Sequence, residues 1–161
     1  MDIVQLLFLI LFFIGNYSFS QELPSTVLRD LDGSSINLQT LIDSENVVVL
    51  NFWATWCVPC INELDAISEV YEDWVDETQV KLIAIATDDT RTKKRIRPLV
   101  NGKGWEYLVV YDDNQDLKRA LNISSLPHTL ILKNKKIIQR RIGYSPGAED
   151  ELYEIIKNNS N

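Results

Sequence analysis

The sequence predicts an α/β protein, a central mixed β-sheet flanked by helices, with antiparallel additions at both ends of the chain. Three observations lead there. Two apolar runs, "NVVVLNFWA" (46–54) and "VKLIAIAT" (80–87), are continuous instead of alternating, as expected of strands covered on both faces. Segments of helical periodicity follow them, the arrangement of a sheet with crossover helices. Short extended runs around turn residues stand before the first buried strand and after the last helical segment but one, which reads as a hairpin at each end.

Taken in order, "TVLRDLDGSSINLQTL" reads as the first hairpin: an extended stretch, a turn at Asp32-Gly33, then alternation. The strand over 46–54 comes next. From Pro59 the pattern turns helical, with Ile61, Leu64, Ile67, Val70, Tyr71 and Trp74 on one side and Glu63, Glu69, Glu72 and Asp73 among them. After the strand over 80–87, "TRTKKRIRPLV" predicts a helix, "YLVVYD" a third strand and "NQDLKRALNI" a short helix. "HTLILKN" and "KIIQRRIGY" form the second hairpin about a turn at Asn134, and "GAEDELYEIIKN" is a closing helix. No linker or low-complexity stretch interrupts this order.

A chain of 161 residues, 45% hydrophobic and 24% charged, has room for one well-filled core. The formal net charge of −7 argues against nucleic acid as a partner. The basic run "RTKKRIR" (91–97) does not change this, because Ile96, Leu99 and Val100 make it one solvated side of an amphipathic helix. At the N-terminus, Leu6 to Ile14 is an unbroken apolar run, shorter than the roughly 20 residues of a spanning helix. Ser18 and Ser20 are small residues at −3 and −1 of a cut before Gln21. "MDIVQ" lacks the usual Lys or Arg, so residues 1–20 are read as a signal peptide or, uncleaved, as an N-terminal membrane anchor. Residues 21–161 are then the folded domain. Only in the uncleaved case does the membrane hold the protein.

Cys57 and Cys60, in "NFWATWCVPC" (51–60), are the only cysteines. A pair this close closes almost no loop, so it adds little as a staple. A structural zinc site needs about four Cys or His ligands, and His128 is the sole histidine. Haem attachment calls for His directly after the second Cys, where this chain has Ile61. The strand-to-helix junction places Cys57 at a helix N-terminus, where free N–H groups and the macrodipole favour a thiolate, and Cys60 one turn inside. Pro59 suits the first helical turn. Cys57 is thereby fitted to attack a disulfide and Cys60 to resolve the product, a redox dithiol that needs no cofactor or metal.

The segment "NFWATWCVPC" resembles the active-site segment of the thioredoxin superfamily, and most closely that of the exported TlpA/ResA-like thiol-disulfide oxidoreductases. The likeness runs through the N-terminal β-hairpin, the strand-helix insertion before the last hairpin, and "GYSPGAEDELYEIIK". It implies a thioredoxin-like fold over 21–161 and a cis-proline opposite the dithiol, matched by Pro127 in "SSLPHT". It also implies an active-site glutamate three residues after the second cysteine, matched by Glu63, for which a solvated helix acid is the alternative reading. Asn51 stands where thioredoxin has a buried aspartate, so no proton route runs through that position. Trp56, Leu126, Pro127 and His128 are the implied substrate-binding residues. A protonated His128 would stabilise the Cys57 thiolate, although an incidental strand histidine fits the same position.

The resemblance further implies a protein that reduces protein disulfides outside the cytoplasm, one such task being apocytochrome c maturation; the chain is read as a monomer. The partners are a disulfide-containing protein substrate and an upstream membrane thiol reductant, since no nucleotide or flavin fingerprint is present. Two other readings stay open: a disulfide-forming oxidase, because Val58-Pro59 does not fix the potential, and a non-catalytic peptide-binding or holdase module. A peroxidase is disfavoured because Ala54 occupies the place of the Thr expected three positions before the reactive cysteine.

Overall fold

A computed structural model describes residues 23–160. The signal-peptide or anchor reading of 1–20 lies outside the described residues. The elements are β1 (Val27–Asp30), β2 (Ser35–Asn37), α1 (Leu38–Leu41), β3 (Val48–Trp53), α2 (Val58–Thr78) and β4 (Lys81–Ala86). A 3₁₀ turn (Lys93–Arg95) leads into α3 (Ile96–Lys103), followed by β5 (Leu108–Tyr111), α4 (Asp116–Ala120), β6 (His128–Lys133), β7 (Lys136–Ile142) and α5 (Ala148–Asn159). The strands form one sheet in the order β2-β1-β5-β4-β3-β6-β7. The β3–β4 and β4–β5 pairs are parallel, while both ends of the sheet are antiparallel.

Local chemistry explains the boundaries. The first hairpin turns where the Asp30 carboxylate accepts the N–H groups of Asp32 and Ser34, at 2.9 and 2.8 Å, and where Gly33 takes a φ of +88°. The expected alternation stops at Asn37, whose side chain accepts the Gln39 N–H at 2.8 Å and caps the short α1. "LQTL" is therefore helical, a correction to the extended reading of that segment. At the other hairpin, Asn134 and Lys135 both have positive φ, the geometry of a two-residue turn whose twist matches that of the strands it joins.

The sheet divides two apolar layers. Val49 and Trp53 face the layer of α2, α3 and α5, with Cys60, Leu64, Ile67, Val100, Leu152 and Ile156. Val48, Leu50 and Phe52 face that of α1 and α4, with Leu38, Leu117 and Leu121. By the two-residue period of a strand, Asn51 shares the face of Val49 and Trp53. It is thus a polar side chain set into the layer beneath α2. The basic run is largely neutralised from within: Arg91 pairs with Asp89, Lys93 with Asp113 and Arg97 with Asp32. This favours the solvated-face reading of that segment.

Candidate active site

The C-terminal end of β3, the N-terminal end of β6 and the start of α2 lie at one end of the sheet. After Trp53 the chain turns once, the Cys57 N–H donating to the Ala54 carbonyl at 3.0 Å. The buried Asp88 carboxylate holds this turn, accepting the Thr55 N–H at 2.9 Å and the Thr55 hydroxyl. Asp88→Ala leaves both donors without that partner. It is expected to cost about 1–3 kcal/mol in a denaturant titration of the oxidised protein.

Cys57 is the N-cap of α2, and its side chain makes no capping hydrogen bond. Pro59 sits in the first turn, where its missing N–H has no intrahelical partner to lose. Cys57 and Cys60 form a disulfide with their Cα atoms 5.3 Å apart. Cys57 keeps a small exposed edge while Cys60 is fully covered. An incoming sulfur therefore meets Cys57 first. Trp56 and Val58, on either side of Cys57, are 58% and 65% exposed.

Glu63 is not a solvated helix acid. It is 5% exposed, under the sheet-facing side of α2 one helical turn beyond Cys60. Asn51 Nδ2 donates to Glu63 Oε2 at 2.8 Å and to Thr129 Oγ1 at 2.9 Å. The Thr129 hydroxyl in turn lies 3.4 Å from Glu63 Oε1. Burial raises the Glu63 carboxyl above its ordinary range, and the bonds from Asn51 and Thr129, with Arg141 nearby, oppose that rise without cancelling it. A carboxyl so placed holds its proton to higher pH than a surface glutamate does.

The Leu126–Pro127 peptide is cis. The Pro127 carbonyl accepts the Gly143 N–H at 2.9 Å, tying this loop to the end of β7. Leu126 is half-buried and packs on the cluster containing Cys57 and Cys60. His128 pairs with Phe52 across the β3–β6 ladder and is buried, with neither ring nitrogen hydrogen-bonded among the described residues. Burial, reinforced by Arg140, pushes its pKa below the usual imidazole value. Desolvation thus disfavours the protonated imidazole, and of the two readings of His128 this burial favours the incidental strand histidine.

Two residues escaped the sequence. Thr129 becomes legible only once β3 and β6 are paired, which sets it opposite Asn51. Ile142 ends β7 opposite His128 and is 67% exposed, bringing an apolar side chain to the Pro127 loop. Nothing in "KIIQRRIGY" marks it out from the other isoleucines. Among the described residues, no cluster of three or more His, Cys, Asp or Glu is arranged to hold a metal, and no helix is long and apolar enough to cross a membrane.

A thioredoxin-like fold with a Cys-x-x-Cys disulfide at the N-terminus of the helix after its central strand defines a thiol-disulfide oxidoreductase. The chain belongs to the AhpC/TSA family, whose model matches residues 19–141. It is 32% identical over 134 residues to the thiol-disulfide oxidoreductase ResA of Bacillus thuringiensis (strain Al Hakam), covering 83% of this chain and 75% of that one. Among solved structures, an uncharacterised thioredoxin-like protein from Porphyromonas gingivalis shares 40% identity at a TM-score of 0.75, over 86% of this chain and 91% of that one. StoA from Bacillus subtilis, at 18% identity, shares the fold with a TM-score of 0.65, over 82% of this chain and 97% of its own.

Proposed function

We propose that the protein reduces disulfides of protein substrates outside the cytoplasm, with Cys57 as nucleophile and Cys60 as resolving thiol. The observation that carries this reading is the graded burial of the two sulfurs at the N-terminus of α2. In the reduced protein, the Cys57 thiolate attacks one sulfur of the substrate disulfide. A mixed disulfide forms and the first substrate sulfur leaves as a thiolate. Cys60 then gives up its proton and attacks Cys57 Sγ, releasing the second substrate thiolate and closing the Cys57–Cys60 disulfide. Two electrons have passed to the substrate, and its two thiolates then take up protons from solvent, one of them in balance with the proton that Cys60 gave up. Glu63, one turn from Cys60 and biased toward holding a proton, is the group proposed to take the Cys60 proton. Re-reduction falls to an upstream membrane thiol donor, and apocytochrome c cysteines are proposed among the clients on the resemblance of the active-site segment to the TlpA/ResA-like branch.

Trp56, Val58 and Ile142 supply apolar surface around the sulfurs, and the Leu126–Pro127–His128 loop supplies backbone for an extended substrate. Trp56→Ala is expected to raise KM for a disulfide-bonded peptide about tenfold, a typical loss for an aromatic anchor. The rate with a small disulfide such as oxidised glutathione should change little. Steady-state kinetics on both substrates make the check.

The equilibrium potential of the Cys57–Cys60 couple, titrated against dithiothreitol and glutathione buffers, tests the direction. A value near about −270 mV, that of a reducing thioredoxin, supports reduction. A value near about −120 mV would make the protein an oxidant and overturn the proposed direction.

A further inference from the structure

Asn51, Glu63 and Thr129 come from β3, α2 and β6, and all three are buried. Their hydrogen bonds have a fixed polarity. Both protons of the Asn51 carboxamide nitrogen are committed, one to Glu63 Oε2 and one to Thr129 Oγ1. A carboxamide nitrogen cannot accept, so Oε2 is always faced by a donor and cannot carry a proton directed at Asn51. A hydroxyl is different. Thr129 Oγ1 accepts from Asn51 and still has one proton to give and one lone pair to offer. With Glu63 ionised, Thr129 donates to Oε1. With Glu63 protonated on Oε1, the hydroxyl can rotate and accept.

We propose that Asn51 and Thr129 are positioning residues for Glu63: Asn51 keeps Oε2 as the permanent acceptor, and Thr129 reverses its hydrogen bond as the proton enters or leaves Oε1. The proposal deepens the reading of Glu63 as proton carrier and rests on it. It gives each oxygen a task. Oε1 exchanges the proton, while Oε2 anchors the carboxyl to β3 so that rotation about the side chain does not move it from beneath Cys60. It also accounts for Asn at position 51: an aspartate there would set a second carboxylate against Glu63 and could not donate. Other charged or titratable groups act on Glu63 from the surrounding elements. They are Arg141 on β7, Glu149 on α5, Tyr107 before β5 and Tyr144 after β7. None of them is hydrogen-bonded to its carboxyl among the bonds described above.

The test is a pH titration of the Glu63 carboxyl carbon by ¹³C NMR in the full chain, with Glu63→Gln identifying the signal. Thr129→Val removes the hydroxyl at nearly constant volume. A hydrogen bond to a carboxylate is about twice as strong as one to the neutral acid, so losing both favours protonation. The Glu63 midpoint should rise by about 0.5 pH unit, roughly a threefold change in the protonation constant. Thr129→Ser, which keeps the hydroxyl and drops the methyl group, should restore it. The pH profile of substrate reduction should move in the same direction with Val and return with Ser. An unchanged midpoint in Thr129→Val, or a shift that Ser does not restore, overturns the positioning role. If Glu63→Gln leaves the rate profile as in the wild type, the proton-carrier reading falls instead, and the NMR midpoints still decide whether Thr129 sets the carboxyl.

Discussion

Cys57→Ser is expected to abolish disulfide exchange, lowering the rate by at least about 10⁴-fold in an assay of disulfide reduction by the pre-reduced protein. A serine hydroxyl is not ionised at neutral pH and cannot form the mixed disulfide, so no weaker version of the same route remains. Cys60→Ser should behave differently. Cys57 retains its place at the N-terminus of α2, with its exposed edge flanked by Trp56 and Val58. It can still attack, but nothing releases the product, so the mixed disulfide should accumulate and be visible on a non-reducing gel. Trapping by Cys57→Ser in place of Cys60→Ser would reverse the two assigned roles. Full function in cells of a Cys57→Ser, Cys60→Ser double variant would support the peptide-binding alternative.

Glu63→Gln should slow substrate reduction by about 10²-fold, the lower end of what a positioned proton carrier contributes. The same substitution should stabilise the fold. Burial raises the folded-state carboxyl above its ordinary value of 4.5, so between that value and the folded-state pKa the native protein holds a proton that the unfolded chain has lost. Stability therefore falls as pH rises through this window, and the cost persists once both states are ionised. A neutral glutamine carries no such cost and keeps the hydrogen bond from Asn51. Thermal unfolding should accordingly show Glu63→Gln above the wild type at pH 7, with the difference closing below about pH 4. A variant that is slower but more stable marks a carboxyl placed for chemistry at the expense of stability. A variant that is less stable at pH 7 would mean that Glu63 is there to hold the helix to the sheet.

The sequence by itself determined most of the elements and the place of the two sulfurs at a strand-to-helix junction, because both depend on near neighbours. The Val-rich run before Thr55 and the helical period after Pro59 place Cys57 at a strand-to-helix junction without reference to the rest of the chain. The wrongly extended "LQTL" was also a local matter, decided by the cap that Asn37 supplies. What only the tertiary structure decided concerns groups brought together across the sheet. Glu63 has the same local pattern as the exposed Glu69 and Glu72, and only the packing of α2 on β3 and β6 buries it against Asn51 and Thr129. His128 reads as chargeable from its position beside Pro127, yet burial disfavours its charged form. Both outcomes follow from desolvation, a property of the whole packed neighbourhood. Spacing along the chain tells which residues share a helix face, whereas solvent access depends on partners 78 residues apart, as Asn51 and Thr129 are.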